Sequence, residues 1–578
     1  MSEVRGWVHR LLALLIVGVA LLSAVSGAGA ATRPNIVFVL TDDQRFDTLG
    51  AMPTVQRDLV GRGVTFTNAF VVNALCCPSR ASILTGRYSH STNVYGNNGQ
   101  YGGFGSFRDR STVGTWLRSA GYRTGYVGKY LNGYRRSYVP PGWDRWVAFT
   151  RVGYDRYELN VDGSRRRYWP GNPAHYSTDV LTRQATRFIR AAHKPFLLVY
   201  APFAPHSPAV PALRHANAFE ATEPWRPPNY NEQDVSDKPT WIRQIPPWSH
   251  DQGLNADLFR RRQLQTLLAV DDGVNSLLGE LRRRRILRDT IVVFMSDNGY
   301  SWGAHRVEGK GVPYEESIRV PLVIRYDRLF RGSRIETRTA LNIDLAPTFA
   351  AAARAKRARV DGQSLLGIVG GSAAPGRDDF LVEHLRGAPY PAMPTYCGVR
   401  SSTWKYVFYG TGEDELYDLT ADPYELKSRA ADPAYRTQVV AMRARLDTLC
   451  TPTPPDFSRS WLCMVAAAPG GGPLTGTDLA DFICGGPGAD SVAALDGSDA
   501  VLAGAGNDTV DGGAGDDELR GGSGSDSIFG GSGDDRLFAR DLVSDYLECG
   551  QGYDVVVADP VDTVAADCEL RLARRPRD

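Results

Sequence analysis

The chain has 578 residues, with 66 Lys and Arg against 64 Asp and Glu, a formal net charge of +2, and 43% hydrophobic residues. That length gives room for two or three domains and a large buried core, and beyond residue 31 no segment has the length and apolarity to cross a bilayer. The near-neutral total excludes no class by itself, because it hides an arginine-rich body, suited to an anionic substrate, and an acidic stretch from about Asp478 to Asp535, suited to cations. No nucleic-acid partner is expected.

Residues 1–31 read as a secretory signal peptide. Arg5, His9 and Arg10 precede the apolar run Leu11 to Leu22, and small residues lead to Ala28-Gly29-Ala30. The run is short for a transmembrane anchor, so no stable membrane span is expected after its removal. The mature protein is expected to be secreted and extracellular, periplasmic or attached to a cell surface.

Residues 32–375 alternate apolar, β-branched runs with amphipathic stretches. Ile36 to Leu40, Thr124 to Val127, Phe196 to Tyr200, Ile291 to Phe294 and Leu322 to Ile324 read as strands, and Arg260 to Leu281 as a crossover helix. This pattern predicts an α/β domain with a mostly parallel sheet. Sites in such sheets sit at the carboxyl ends of the strands, where Asp42-Asp43 and Asp297-Asn298 fall. Asp271-Asp272 lies on the amphipathic helix and reads as structural. Residues 376–450 hold shorter strand-like runs, such as Lys405 to Tyr409, and a final helical stretch from Val439 to Leu449; they read as a small α+β subdomain. The Pro- and Gly-rich passage 451–475 reads as a linker.

Residues 476–570 carry a nine-residue repeat. Its aspartates are Asp481, Asp490, Asp499, Asp508, Asp517, Asp526 and Asp535, with an aliphatic residue two places after each, from Ile483 to Leu537. Glycines permit tight turns, aspartates offer hard oxygen ligands and the aliphatics can stack inward. The repeat resembles the calcium-binding repeats of RTX proteins, which form a parallel β-roll. On that resemblance Asp490, Asp508, Asp517, Asp526 and Asp535 hold Ca²⁺. The early copies around Asp481 and Asp499 lack several glycines, so those turns are not expected to bind. Eight cysteines in an exported chain can pair; by spacing, Cys450 with Cys463 and Cys549 with Cys568 are the nearest candidates.

The most informative stretch is Cys76-Cys77-Pro78-Ser79-Arg80, followed by Leu84-Thr85-Gly86. Pro78 favours helix entry, Ser79 can cap, and a helix N-terminus favours an anion such as sulfate or phosphate. The pattern C-x-P-S-R-x-x-x-L-T-G resembles the signature of type I sulfatases, in which the first cysteine is converted by a formylglycine-generating enzyme into an aldehyde. The resemblance implies an alkaline-phosphatase-like fold, conversion of Cys76 with Cys77 as a bystander, and a Ca²⁺ or Mg²⁺ held by Asp42, Asp43, residue 76, Asp297 and Asn298. All-oxygen ligands favour such hard cations over zinc. It further implies that Arg80, Lys129 in Gly128-Lys129-Tyr130-Leu131-Asn132, His206 in Pro205-His206-Ser207-Pro208, and Lys310 contact the nucleophile or the sulfate.

The implied chemistry is covalent: one hydroxyl of hydrated formylglycine attacks sulfur, Lys310 or His206 donates to the departing alcohol, and the second hydroxyl expels sulfate. Many sulfatases carry a histidine where this chain has Leu131. That leaves the base of the last step open among His305, His90 and His206. Residues 33–450 are most similar to N-acetylglucosamine-6-sulfatases, on Ala74 to Gly86, Gly128 to Asn132, Pro205 to Pro208, Thr240 to Gln244 and Leu264 to Asp272, and the Leu131 variant belongs to that likeness. The expected substrate is therefore a sulfated carbohydrate or an aryl sulfate. Alternatives are a phosphonate or phosphate ester hydrolase carrying the same motif, or a calcium-binding surface module with an inactive hydrolase domain.

Overall fold

The computed structural model describes residues 33–134, 137–193, 195–387, 392–458, 462–468 and 470–571; the signal peptide expected at 1–31 lies outside them. Ten strands form the main sheet. In chain order they are β1 (Asn35–Thr41), β2 (Val64–Phe66), β3 (Arg123–Gly128), β4 (Arg145–Arg151), β5 (Tyr157–Val161), β6 (Ser164–Tyr168), β7 (Phe196–Ala201), β8 (Thr290–Ser296), β9 (Leu322–Arg325) and β10 (Arg334–Glu336). Their spatial order is β10-β2-β9-β8-β1-β7-β3-β4-β5-β6, and the five central strands, β8 to β4, run parallel.

Both faces of the sheet are covered, as its continuous apolar strands require. Along β1, Ile36, Phe38 and Leu40 pack toward helices α1 (Cys76–Thr85) and α4 (Leu345–Ala353), whereas Val37 and Val39 pack toward α2 (Ser177–Ala191) and α3 (His250–Arg283). Ser249 and Gln252 close a capping box at the start of α3. Asp271, on the buried side of α3, accepts from the backbone N–H groups of Thr54 and Val55 at 2.9 Å each, so it is structural as read from the sequence.

β9 departs from the expectation of parallel strands: it is antiparallel to both β8 and β2. A parallel return needs a crossover to the opposite end of the sheet. The segment from Asp297 to Pro321 has only the four-residue helix Glu315–Ile318 and stays at the carboxyl edge, so the chain can only fold back.

A four-stranded antiparallel sheet follows, β11 (Asp379–His384), β12 (Tyr396–Ser401), β13 (Trp404–Tyr409) and β14 (Asp414–Asp418), packed against α5 (Arg436–Leu449). The tail is a roll of two parallel sheets of seven and six strands. Partner strands lie 18 residues apart, as in Ile483↔Val501 and Val501↔Leu519, which is two nonapeptides per coil. Ile483, Val501, Val510, Leu519, Ile528 and Leu537 are fully buried, and the ladder continues through Leu547 and Val556 after a one-residue shift. Burying each such side chain is worth about 1.5–3 kcal/mol. At Gly524, with φ +132°, a Cβ would overlap the Gly506 carbonyl oxygen, so the stacking of turns itself demands glycine.

The structure departs from two expectations. The passage 451–475 is not a simple linker: strands Val465–Ala466 and Pro473–Thr475 already pair with the roll, and Ala480, Phe482 and Ala500 pack with Val439 and Val440 of the preceding subdomain and with Phe457 of the passage itself. Glycine and proline mark the first turns of the roll as readily as they mark a tether. Cys450 does not pair with Cys463. The disulfides are Cys397–Cys450, which ties β12 to the end of α5, Cys463–Cys484, which ties the joint to the roll, and the expected Cys549–Cys568. Sequence spacing missed Cys397 because its proximity comes from sheet-on-helix packing.

Candidate active site

Sheet register builds the site. β1 pairs with β8 so that Thr41 lies opposite Ser296, and β3 pairs with β7 so that Gly128 lies opposite Ala201. The residues that follow, Asp42, Asp297 and Lys129, therefore emerge side by side at the carboxyl edge of the sheet. Backbone bonds fix the row: Asp297 N–H donates to Thr41 O at 3.1 Å, Asp42 N–H to Ala204 O at 3.2 Å and Lys129 N–H to Ala201 O at 2.7 Å. Gly128 adopts φ +135°, and a Cβ there would collide with Ala201 O, which explains glycine immediately before the lysine.

Helix α1 delivers Cys76 into this row as its first residue, 1% exposed. Cys76 Sγ lies 3.5 Å from Asp42 Oδ1 and accepts from Lys310 Nζ at 2.9 Å. Burial pushes its thiol up to about 12, and a protonated thiol is a poor nucleophile. Cys77 faces away: its Sγ accepts from Asn132 N–H at 2.9 Å within the apolar core. Ser79 is not the cap expected of it; the N-cap position is Leu75, and Ser79 Oγ instead accepts from Asn342 Nδ2 at 3.0 Å.

Arg80 is fully buried one turn into α1 and ties three strand ends together. Its Nε donates to Asp297 Oδ2 at 2.7 Å, Nη1 to Lys129 O at 2.5 Å, and Nη2 lies 3.5 Å from Asp42 Oδ2. Lys129 Nζ sits 2.5 Å from Asp42 Oδ2, and Lys310 Nζ donates to Asp43 Oδ1. Asp43 Oδ1 also accepts from Asn298 Nδ2 at 2.7 Å. Burial would raise Asp42, but Lys129, His206 and Arg80 overcome it and hold the carboxyl well below its usual range; burial together with Asp42 pushes Asp297 upward. Burial opposes the charge of Lys129 and Lys310, yet Asp42 and Asp43 respectively keep both ammoniums protonated.

These residues fit a hard divalent cation. Asp42, Asp43, Cys76 and His206 each offer an atom within 4.8 Å of the others. Asn298 Oδ1 is buried with no hydrogen-bond partner, as a metal-directed carbonyl oxygen is expected to be, and the Asp42 and Asp43 carboxylates supply hard oxygen donors beside the Cys76 sulfur and the His206 nitrogen.

The three histidines separate cleanly. His206 Nδ1 donates to Ser207 O at 2.8 Å, which fixes the neutral tautomer and leaves Nε2 facing Asp43 Oδ2 at 3.6 Å. Burial lowers its pKa from 6.5. His305 is fully buried against Glu232 Oε2 at 2.6 Å, and His90 is held by Glu383 at 3.1 Å; neither belongs to the Cys76 cluster. Leu131 is 4% exposed within the apolar core. The sequence reading missed Tyr126, whose hydroxyl donates to Lys129 O at 2.5 Å beside Arg80, and Asn97, whose Oδ1 accepts the Cys77 N–H at 2.9 Å. Neither lies in a recognisable motif; only the packed fold brings them to α1.

The sulfatase family profile matches residues 34–355, more than half of the chain. The chain belongs to the sulfatase family. A second profile, the C-terminal region of N-sulphoglucosamine sulphohydrolase, matches residues 303–451, and the RTX calcium-binding nonapeptide repeat matches 475–510 and 511–541. Human N-acetylglucosamine-6-sulfatase is 34% identical over 472 residues, covering 72% of this chain and 85% of that one. A Caenorhabditis elegans protein named as an extracellular sulfatase Sulf-1 homologue is 36% identical over 374 residues, 61% of this chain, and the chain spans about half, 52%, of that relative's length. Among solved structures, one described as bound to its substrate D-glucosamine-2-N,6-O-disulfate superposes with a TM-score of 0.66 at 24% identity, covering 74% of this chain and 99% of that one. This sulfatase thus has the alkaline-phosphatase-like fold, followed by the parallel β-roll.

Proposed function

We propose that this sulfatase hydrolyses sulfate esters of carbohydrate outside the cell, with a residue 76 matured to formylglycine by a separate generating enzyme. The observation that carries the reading is the clustering of Asp42, Asp43 and His206 with Cys76, with Asp297 and Asn298 bonded into the same edge through Asp43 and Arg80, and Lys129 and Lys310 beside them. The likeness to N-acetylglucosamine-6-sulfatase supports a sulfated amino sugar as substrate. The family's extracellular relatives and the leader read at residues 1–31 support export.

Asp42, Asp43, Asp297 and Asn298, with residue 76, would hold Ca²⁺ or Mg²⁺, which supplies charge to orient and acidify the nucleophile. Formylglycine supplies a hydroxyl nucleophile that the buried thiol cannot. The other steps belong to side chains in place. Lys129 and Lys310 offset the sulfate's charge, and Arg80 holds Asp297 and Asp42 in position without leaving its ion pairs. Lys310, protonated beside residue 76, is the proton donor to the departing alcohol. His206, neutral with Nε2 open toward the site, is the group placed to take a proton when sulfate is released. These roles predict that His206→Ala slows sulfate release more than ester cleavage.

The test is a mass spectrum of the peptide containing residue 76 from the native producer, paired with rates on matched aryl sulfate, phosphate and phosphonate esters. An aldehyde at 76 with a preference for sulfate is expected. An unmodified thiol in an active enzyme, or a preference for phosphonates, would overturn the proposal.

A further inference from the structure

A groove of about 900 Å³ opens at the far end of α1, beside Thr85, roughly 14 Å along the helix from Cys76 and outside the site built above. Arg87, Arg108 and Arg110 line it and are exposed, with Ser91, Asn93 and Ser111 between them. Ala358 forms another part of the wall, and it lies in the exposed run Arg354-Ala355-Lys356-Arg357-Ala358-Arg359 that leaves α4.

The charge here is unbalanced. Some surface arginines elsewhere carry carboxylate partners, as in Arg118–Asp144, Arg226–Asp257 and Arg445–Asp379, and others stand singly; what sets this patch apart is that its unpaired cations are clustered. Among the described residues, none of Arg87, Arg108, Arg110, Arg354, Lys356, Arg357 and Arg359 is ion-paired with a carboxylate. Two acidic residues lie nearby, and each is hydrogen-bonded to a neutral donor and ion-paired with none of these cations: Asp109 accepts from the Tyr138 hydroxyl at 2.8 Å and Asp361 from the Tyr88 N–H at 2.9 Å. Seven cations against two carboxylates leave a net positive patch that can meet an anion supplied from outside, and arginine forks suit the oxygens of sulfate groups.

We infer that this groove is a second, non-catalytic binding site for a sulfated polysaccharide chain. The inference rests on the proposed sulfated-carbohydrate substrate. Its shape and chemistry favour that occupant. The aromatic side chains in the wall, Phe107 and Trp116, are each only 7% exposed and offer no platform for stacking bases, and the rim presents hydroxyl and amide groups rather than an apolar face to insert into lipid. A polymer held in the groove raises the local concentration of its sulfate esters at the active site, whereas a monosaccharide gains nothing.

The test compares the full-length enzyme with two surface variants, Arg87→Ser/Arg108→Ser/Arg110→Ser and Lys356→Ser/Arg357→Ser/Arg359→Ser. The probes are a heparin dodecasaccharide, its chemically desulfated form, a DNA duplex and phosphatidylserine vesicles. Expected are heparin-fragment affinity at least 10-fold weaker in each variant, a shallower dependence of log K on log salt, no binding of the desulfated form, and kcat/KM on an aryl sulfate unchanged while that on polymer falls. Unaltered heparin affinity in both variants, or duplex or vesicle binding tighter than heparin, would overturn the assignment. An enzyme inactive on aryl sulfate that still binds heparin through these arginines would defeat the proposed activity and leave the groove standing.

Discussion

The catalytic edge of the sheet and the β-roll both bury rows of aspartate, and they handle the charge in opposite ways. Asp42 and Asp43 are faced by Lys129, Arg80 and Lys310, drawn from segments far apart in the chain. In the roll, Asp490, Asp499, Asp508, Asp517, Asp526, Asp535, Asp545 and Asp554 each give one oxygen to a backbone N–H a coil away, as Asp517 Oδ1 accepts from Asp499 N–H at 2.8 Å, and each leaves Oδ2 buried and unpartnered. Burial pushes Asp499 up to about 7 and Asp517 up to about 8, with Asp535 and Asp545 up to about 6. The catalytic domain brings cations of its own; the roll is built to receive them from solution, and we propose that calcium supplies them.

Chelation is expected to separate the two regions most strongly. Removing calcium from the full-length protein is expected to abolish hydrogen-exchange protection of the strands from Phe482 to Ala558 by a factor of 100 or more, while β1 and β8 keep theirs; equal loss in both would show that the two regions depend on the cation alike. Removing single charges follows. Asp42→Asn leaves Lys129 and Arg80 facing a neutral group and is expected to cost about 3–5 kcal/mol, with activity down by at least 100-fold. Asp517→Asn is expected to leave or raise the stability of the calcium-free roll and to lower its calcium affinity, read by thermal melts with and without EDTA.

The pH dependence follows the same contrast. The roll's raised carboxyls have folded-state pKa values above their ordinary 3.8, so the calcium-free folded form binds more protons than the unfolded chain. Its stability is full below about pH 4 and is lost as pH rises toward about 8, whereas calcium, which needs the ionised form, stabilises increasingly over that range. Melts of the roll at pH 5 and 8 in EDTA check the sign. The Cys463–Cys484 crosslink closes a sequence separation of 21 residues at the joint; converting both cysteines to serine is expected to destabilise the roll by about 3 kcal/mol without slowing turnover. The smallest effect belongs to Asp481, whose oxygens are already met by Arg436 at 2.6 Å and by Thr477 at 2.7 Å: Asp481→Asn is expected to leave the calcium stoichiometry unchanged, measured by titration.

Much of this was legible because local sequence carries it. Asp42-Asp43 and Asp297-Asn298 each end an apolar run, which marks a strand terminus without any knowledge of neighbours. What placed them together, the register of Thr41 against Ser296, is a long-range property. The same limit hid which of His90, His206 and His305 lies beside Cys76, which depends on loops converging rather than on motif, and it hid Cys397 as the partner of Cys450. In the roll, strict nonapeptide register revealed the aspartates to Asp535, but the one-residue shift before Asp545 masked two further positions, Asp545 and Asp554, and glycine-poor turns masked Asp499, although all three share the unpartnered oxygen. β9 read as parallel because apolar composition does not encode direction; the missing crossover helix does.

The central claim is that residue 76, seated among Asp42, Asp43, Lys129 and Lys310, carries sulfate ester hydrolysis. Steady-state sulfate release from N-acetylglucosamine-6-sulfate, measured for the matured enzyme and for Cys76→Ala purified from the same host, tests it most directly. Turnover by the first and none above background by the second is expected; equal rates from both would contradict the role of residue 76.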